Sequence, residues 1–226
     1  MLKNKSYIGI SFIVLLFGIL VIPKIVDRVK NKTIVKDDRL NVQNSFTESD
    51  LVKIGPAPEF SLINQDKKTI TNDTYKGKVY VLEFFFSTCP TICPKMNANL
   101  KQVQALFNGQ KDFGIASITI NPEGDTPEVL KKHTEDLGIT SENWHFLTGD
   151  KDYIYKIANK GFNIYAAENS KVNGGFEHSG LFALIDKQGN IRCRKDDFGN
   201  PILYYDGIEK TGIKALTEDI KLLLQE

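Results

Sequence analysis

The longest apolar stretch comes first in the chain. Tyr7 to Ile22 reads YIGISFIVLLFGILVI, with no charge inside it and with Lys3 and Lys5 ahead of it. Because no charge breaks any face, the pattern predicts a helix suited to lipid rather than the one-sided helix of a soluble core. The run is a little short for a bilayer span of about 20 residues, but within reach with its flanks. Past Pro23 the pattern dissolves. Residues 24–53 are polar and charged without sustained periodicity, and read as a tether.

From residue 54 the pattern is that of a folded body. Val79 to Phe86 (VYVLEFFF) is a β-branched and aromatic run long enough for one buried strand, ending at Ser87-Thr88-Cys89-Pro90. Met96, Leu100, Val103 and Phe107 follow at helical spacing. Phe113 to Ile120 is a second buried-type strand. Asp125-Thr126-Pro127-Glu128 opens another helix: Thr126 suits the N-cap, Pro127 the first helical position, and acids the first turn. That helix is expected to stop near Gly138. Residues 144–147 read as a short strand and 150–159 as a helix. Residues 180–186 read as a strand, which Lys187-Gln188-Gly189-Asn190 turns into a partner at 191–194. Residues 212–224 form an amphipathic closing helix. Strand–helix–strand followed by a hairpin and flanking helices predicts a three-layer α/β/α domain. The expected organisation is an anchor at 1–23, a linker at 24–53 and one domain at 54–226.

Composition sharpens this division. The 226 residues carry 29 Lys/Arg and 28 Asp/Glu, net +1, with no basic excess to suggest nucleic-acid binding. Residues 1–40 alone hold eight basic and three acidic residues, net +5, which leaves 21 basic and 25 acidic residues in 41–226, net −4. The apolar run ends Val21-Ile22-Pro23-Lys24, without the small residues of a cleavage site and without a cysteine to accept a lipid. It therefore reads as an uncleaved anchor. The downstream flank has more Lys and Arg than the upstream one, which taken alone would place the body in the cytoplasm.

Three cysteines are too few for a disulfide framework. Two of them sit in Cys89-Pro90-Thr91-Ile92-Cys93-Pro94, between a buried strand and a helix start. Cysteines at i and i+4 share a face if the turn is helical, and a helix N-terminus favours thiolate. The pair can bind a soft metal, exchange electrons or do both. It can also be a plain structural disulfide, or two small buried side chains. Structural zinc fits poorly, since it usually takes four ligands and no second cysteine pair exists.

Three histidines could add a donor. His133, among Lys131, Lys132 and Glu135, reads as a solvated surface residue. His145, after Trp144, reads as packing. His178 lies in Gly174-Gly175-Phe176-Glu177-His178-Ser179-Gly180, a glycine-rich loop ahead of a strand, where a flexible segment can deliver a ligand. Two sulfurs and one imidazole suit copper, whereas magnesium and calcium want oxygens.

The sequence resembles the Sco/SenC family. The resemblance rests on Phe85-Phe86-Ser87-Thr88-Cys89-Pro90-Thr91-Ile92-Cys93-Pro94, then Asp125-Thr126-Pro127-Glu128, then His178-Ser179 before an apolar strand, Asp186 and Gly189. It spans roughly residues 54–224. It implies a thioredoxin-like fold behind a single transmembrane anchor in the inner membrane, with the body on the periplasmic side despite the flanking charges. It implies copper held by Cys89, Cys93 and His178. The implied role is assembly of the binuclear copper site of cytochrome c oxidase, as copper donor, as thiol reductant of the receiving cysteines, or both. The implied partner is the oxidase subunit carrying that site, with other copper chaperones or thiol reductants beside it.

The sequence also departs from the family's pattern. Thr91 stands where an acid is frequent between the cysteines. Asn121-Pro122-Glu123-Gly124 lacks the arginine usual before Asp-Thr-Pro, and Glu177 replaces Asp before the histidine. Cys193 lies outside the implied site and, alternating with Arg192 and Arg194, reads as a buried inert thiol. A thiol–disulfide oxidoreductase or redox sensor without copper delivery is the rival reading, with catalytic Cys89 and Cys93 able to form a disulfide. A peroxidase is weaker, because Phe86 and Pro90 stand three residues before the two cysteines.

Overall fold

The computed structural model describes residues 6–30 and 51–226. The chain divides into two units, residues 1–45 and 46–226. In the first, helix α1 runs Ser6–Lys30, straight through Pro23 and into the segment expected to be tether. Its apolar side chains from Phe12 to Phe17, with Ile19, Leu20 and Ile22, lie exposed. Among the described residues, no helix is long and apolar enough to cross a membrane. The single-span expectation for 1–23 is therefore not carried by the structure: the uncharged run ends at Ile22, and the same helix then takes up Lys24, Asp27, Arg28 and Lys30. Residues 31–50 of the expected linker lie outside the described residues.

The second unit is built on one mixed sheet. Its strands are β1 (Val52–Pro56), β2 (Ser61–Asn64), β3 (Thr69–Thr71), β4 (Val79–Phe85), β5 (Phe113–Thr119), β6 (Trp144–Thr148), β9 (Leu181–Ile185) and β10 (Asn190–Lys195), in the order β1-β10-β9-β4-β5-β6-β2-β3. Short strands β11 (Pro201–Ile202) and β12 (Tyr205–Asp206) pair with β10 and β9. Strands β7 (Ala166–Glu168) and β8 (Phe176–His178) form a separate antiparallel pair. Helices α2 (Cys93–Leu106), α3 (Pro127–Asp136), α4 (Lys151–Lys156) and α5 (Lys210–Gln225) complete the body.

The expected α/β architecture is present, for a physical reason that was visible in the pattern. β4 and β5 pair in parallel and every residue of both is buried, as continuous apolar runs require when both faces of a sheet are covered. β5 and β6 pair in parallel next to them. The crossovers through α2 and α3 lie on one face, because Asn97 of α2 meets His133 of α3 at 3.5 Å while the His133 ring stacks on Phe85 of β4. On the other face Phe84 meets Phe162 edge-on at 6.1 Å. The helix expected over 150–159 begins with Asp150 accepting from Tyr153 N–H at 2.8 Å, but widens into a π turn from Ile157 to Phe162. α5 starts two residues before the expected Gly212. Its Asp219 is fully buried and takes two bonds from Arg194 and one from Tyr205.

Candidate metal centre

The centre forms where β4 hands over to α2. Ile92 is the N-cap of α2 and offers no polar side chain to the helix's open N–H groups. The Cys89 sulfur fills that role, since the Cys93 N–H donates to Cys89 Sγ at 3.5 Å. Thr91 Oγ1 stands 3.5 Å from the same sulfur. Pro94 in the first turn costs no hydrogen bond, because its nitrogen would have been unpartnered there anyway.

A buried carboxylate holds the turn before Cys89. Asp125 accepts from Ser87 N–H at 3.0 Å and also from the hydroxyls of Ser87 and Thr119. It is fully buried. In sequence, Asp125-Thr126-Pro127 reads as a helix start and as part of the family resemblance, without a role for Asp125 at the cysteines. Thr126 does cap α3, accepting from Val129 N–H at 3.4 Å, but Asp125 also ties the cysteine turn to the α3 loop. A buried acid beside a capping threonine was the available signal.

His178 arrives from the other side on β8, opposite Ala166 of β7. Gly174 makes the approach possible: its φ is +92°, and a Cβ there would lie 2.9 Å from Pro90 Cδ and 3.2 Å from the Phe86 ring. Phe86 stands edge-on to the His178 ring at 6.0 Å. His178 Nδ1 lies 3.1 Å from the carbonyl of Ser179. A carbonyl only accepts, so this bond puts the proton on Nδ1 and leaves the Nε2 lone pair facing Cys93 Sγ at 3.0 Å. The donor atoms of Cys89, Cys93 and His178 all lie within 4.8 Å of one another.

The two thiols are pushed apart in acidity. Hydrogen bonding from Cys93 holds the Cys89 thiol far below the usual range, against the opposing effect of burial, with help from the Cys93 N–H and Thr91. Cys93 is pushed far up by the Cys89 sulfur and then by burial. The single Cys93 thiol hydrogen thus has two acceptors in reach, Cys89 Sγ and His178 Nε2. The negative charge sits on the sulfur at the helix N-terminus, as the helix dipole favours.

Under this layer lies a second acid that sequence reasoning passed over. Glu83 sits fully buried in β4 and accepts from Ser117 Oγ at 2.7 Å, while its other oxygen has no partner. Burial pushes its pKa up to about 8, against the lowering effect of the Ser117 bond. Its signal was an ionisable residue inside an otherwise apolar strand.

The remaining candidates fall outside the centre. His145 packs, as expected, against Tyr75 and beside Asn64. His133 is not the solvated residue expected: it is half-buried between Phe85 and Phe146, and burial lowers its pKa. Cys193 is fully buried and burial raises its thiol to about 11, in keeping with an inert side chain. Its neighbour Arg192 is also buried, paired with Asp186 and Glu226. A cleft of about 550 Å³ between residues 64–68 and 131–145 contains no cysteine. A smaller one of about 270 Å³ opens onto Cys89 and His178 between Phe86, Ile92, Val172 and Phe176, and the chemistry lies there.

Comparisons with known proteins agree with this geometry. The SCO1/SenC family model matches residues 53–211. A SCO1 protein homolog of Bacillus subtilis (strain 168) is 31% identical over 166 residues, covering 72% of this chain and 79% of that protein. The solved structure of BsSco, a member of the Sco family of cytochrome c oxidase assembly proteins in which a disulfide switch has been identified, aligns with a TM-score of 0.63. Its identity is 28%, over 76% of this chain and 95% of that one. Yeast Sco1 with copper bound aligns with a TM-score of 0.55 and 27% identity, over 74% and 89% of the two chains. The fold is thus the thioredoxin-like α/β fold of these proteins, the matched segment contains Cys89, Cys93 and His178, and the chain belongs to the SCO1/SenC family.

Proposed function

We propose that this chain is a copper-binding assembly factor, whose cargo ion is held by Cys89, Cys93 and His178 and passed to the binuclear copper site of cytochrome c oxidase. The observation that carries this reading is the convergence of two sulfurs and one imidazole nitrogen within 4.8 Å, with no carboxylate in the group. Two thiolates suit Cu(I), the imidazole helps accommodate Cu(II), and the group offers no carboxylate to an ion that wants one. The Ser179 carbonyl, by holding Nδ1–H, keeps Nε2 available as a donor. The copper-bound yeast Sco1 and the assembly role given for BsSco support the same reading.

Cargo binding takes the proton off Cys93, so affinity falls as the solution is made more acidic. A centre with three protein ligands beside an open cleft lets an acceptor's cysteines replace them one at a time. Copper titration tests the assignment. Cys89→Ala, Cys93→Ala and His178→Ala are each expected to weaken binding at least about 100-fold, since loss of a ligand costs no less than loss of its orienting partner. Undiminished affinity in all three would sink it.

A second reading is favoured by the unequal thiols. Thiolate Cys89 attacks a partner disulfide and forms a mixed disulfide, releasing one partner thiolate. Cys93, its proton passing to water, then attacks Cys89 Sγ. The partner leaves as a dithiol and the chain retains a Cys89–Cys93 disulfide, which a thiol reductant must reduce again. The disulfide switch of BsSco supports this chemistry. His178→Ala separates the two roles: copper binding collapses, while disulfide exchange largely survives.

The exposed apolar side chains of Phe12 to Ile22 support attachment of the N-terminal segment to a membrane, with the body on the extracytoplasmic side, where the oxidase's copper site is assembled.

A further inference from the structure

Phe198 is the most exposed large apolar side chain among the described residues, at 87%. It sits in the turn between β10 and β11, and that turn is built rather than loose. The Asp196 carboxylate accepts from Phe198 N–H at 2.9 Å, from Asn200 N–H at 2.8 Å and from Asn200 Nδ2 at 3.0 Å. Asp196 N–H donates to the Asn200 carbonyl at 2.8 Å, and Gly199 N–H to the Asp196 carbonyl at 3.0 Å. Ile202 and Leu203 extend the exposed apolar surface along the chain leaving the turn. A bulky aromatic held in water by an ordered turn marks an interaction site more often than a lone exposed leucine does.

The topology says which way this hairpin points. β9 is antiparallel to β4, and β10 is antiparallel to β9, so β10 runs in the same direction as β4. The C-terminal end of β4 leads to Cys89, and the C-terminal end of β10 leads to Phe198. Both therefore leave the sheet at the same end. Beyond Arg192 it is β12, not β10, that pairs with Leu181 and Phe182, so the hairpin is released from the sheet and projects past its edge. The chain returning from it passes through β12 to Ile208, which packs against Gly180, two residues after His178.

The cleft of about 270 Å³ opens onto the centre between Phe86, Ile92, Val172 and Phe176. That is below the roughly 300–1,000 Å³ of small-molecule sites, and matches one or two side chains of a protein loop. Cys89 and Cys93 are both buried, so an acceptor must reach in with side chains while something else holds it in place.

On the copper-transfer reading above, we propose that the hairpin Asp196–Leu203 is a docking arm for the protein that receives the cargo. Phe198 enters an apolar pocket of that partner while the partner's soft-donor side chains reach Cys89 and His178 through the cleft. The partner is a folded protein with an apolar pocket beside its own cysteines. A membrane is the poorer occupant. Asp196 and Asp197 immediately precede Phe198, and anionic headgroups repel them. A second copy of this chain is an outcome of the test.

The test uses the full-length copper-loaded chain and the purified soluble domain of the host oxidase subunit that carries the binuclear copper site, reduced and copper-free. Phe198→Asp and Phe198→Ala should keep wild-type copper stoichiometry and melting temperature. Phe198→Asp should lower the second-order rate of copper transfer at least about tenfold and Phe198→Ala severalfold, as expected for an aromatic anchor, with the rate at saturating acceptor unchanged. Transfer within about twofold of wild type in both variants overturns the proposal. So does a loss confined to self-association in sedimentation equilibrium, or to binding of anionic phospholipid vesicles. A wild-type chain that holds copper but does not transfer it to this domain overturns it as well. If the wild-type chain holds no copper, the copper reading fails instead. The arm is then judged by the domain's affinity for the metal-free chain: a tenfold loss in Phe198→Asp supports it and equal affinity overturns it.

Discussion

Asp125 offers the most direct test of how the fold supports the centre. Replacing it with alanine removes the acceptor of three donors at once: the Ser87 N–H, the Ser87 hydroxyl and the Thr119 hydroxyl. A hydrogen bond to a carboxylate contributes about 1.5–3 kcal/mol, but the three do not add in full. The hydroxyls can rotate toward other acceptors, whereas the Ser87 N–H cannot. A net loss of about 3–5 kcal/mol follows, the range for breaking one side of a buried charged contact. For a domain of this size each kcal/mol lowers Tm by about 2–4 °C, so Asp125→Ala should melt about 6–20 °C below wild type. Asp125→Asn keeps one carbonyl oxygen but turns an amide donor toward the other hydrogens, and should fall between the two. Because Ser87 stands two residues before Cys89, copper affinity should drop about tenfold or more in parallel with stability. Thermal melts by circular dichroism and competition titrations with a copper chelator read both effects. An alanine variant that melts within about 2 °C of wild type, with unchanged copper affinity, would refute the idea that this carboxylate holds the turn.

Glu83 predicts a pH dependence. Its folded pKa, about 8, is raised above the 4.5 of a free glutamate, so the folded state keeps a proton that the unfolded chain releases. Its contribution is fully present below about pH 4.5 and is lost as pH rises toward 8, at up to about 1.4 kcal/mol per pH unit. Glu83→Gln, a neutral mimic, should remove that slope, so urea denaturation should show the variant gaining on the wild type between pH 5 and 8; parallel profiles would refute a buried neutral acid. Gly174→Ala should destabilise the His178 loop by about 1–3 kcal/mol, since φ is +92° and the new methyl would meet Pro90. Copper affinity should fall while disulfide exchange at Cys89 persists, and wild-type affinity in this variant would show that the loop closes without the glycine.

Much of the scaffold of the centre was legible from residue order because it rests on local physics. The run Val79–Phe86 is apolar enough to need covering on both faces, and it became a wholly buried central strand. Cys93 had to lie at a helix start, since Pro94 fits only the first turn. Thr126 capped its helix as its chemistry suggested. Cys193 alternated with two arginines and is buried. At the N-terminus the same local signal went too far: an uncharged run predicted a span, but the helix carries charges beyond Ile22, and no described helix is long and apolar enough to cross a membrane.

The rest depended on contacts between distant parts of the chain, for which no local periodicity exists. His178 and Cys93 are 85 positions apart and meet at 3.0 Å because β8 folds back under Phe86 and Gly174 leaves room for Pro90. Asp125 and Ser87 are 38 positions apart and meet because parallel β4 and β5 end side by side. Glu83 reads as one polar letter in a strand until the sheet encloses it on both faces and leaves one oxygen without a partner. Phe198 is not singled out by residue order, and only the hairpin shows it carried into solvent. The sequence by itself determined which short segments become strands and helices, and where two thiols sit on a helix start, because propensity, capping and proline geometry act over a few residues. The tertiary structure alone decided which donors converge, which acids lose their water and which apolar side chain stays exposed, because those outcomes depend on burial and on the distance between segments that only the folded sheet brings together.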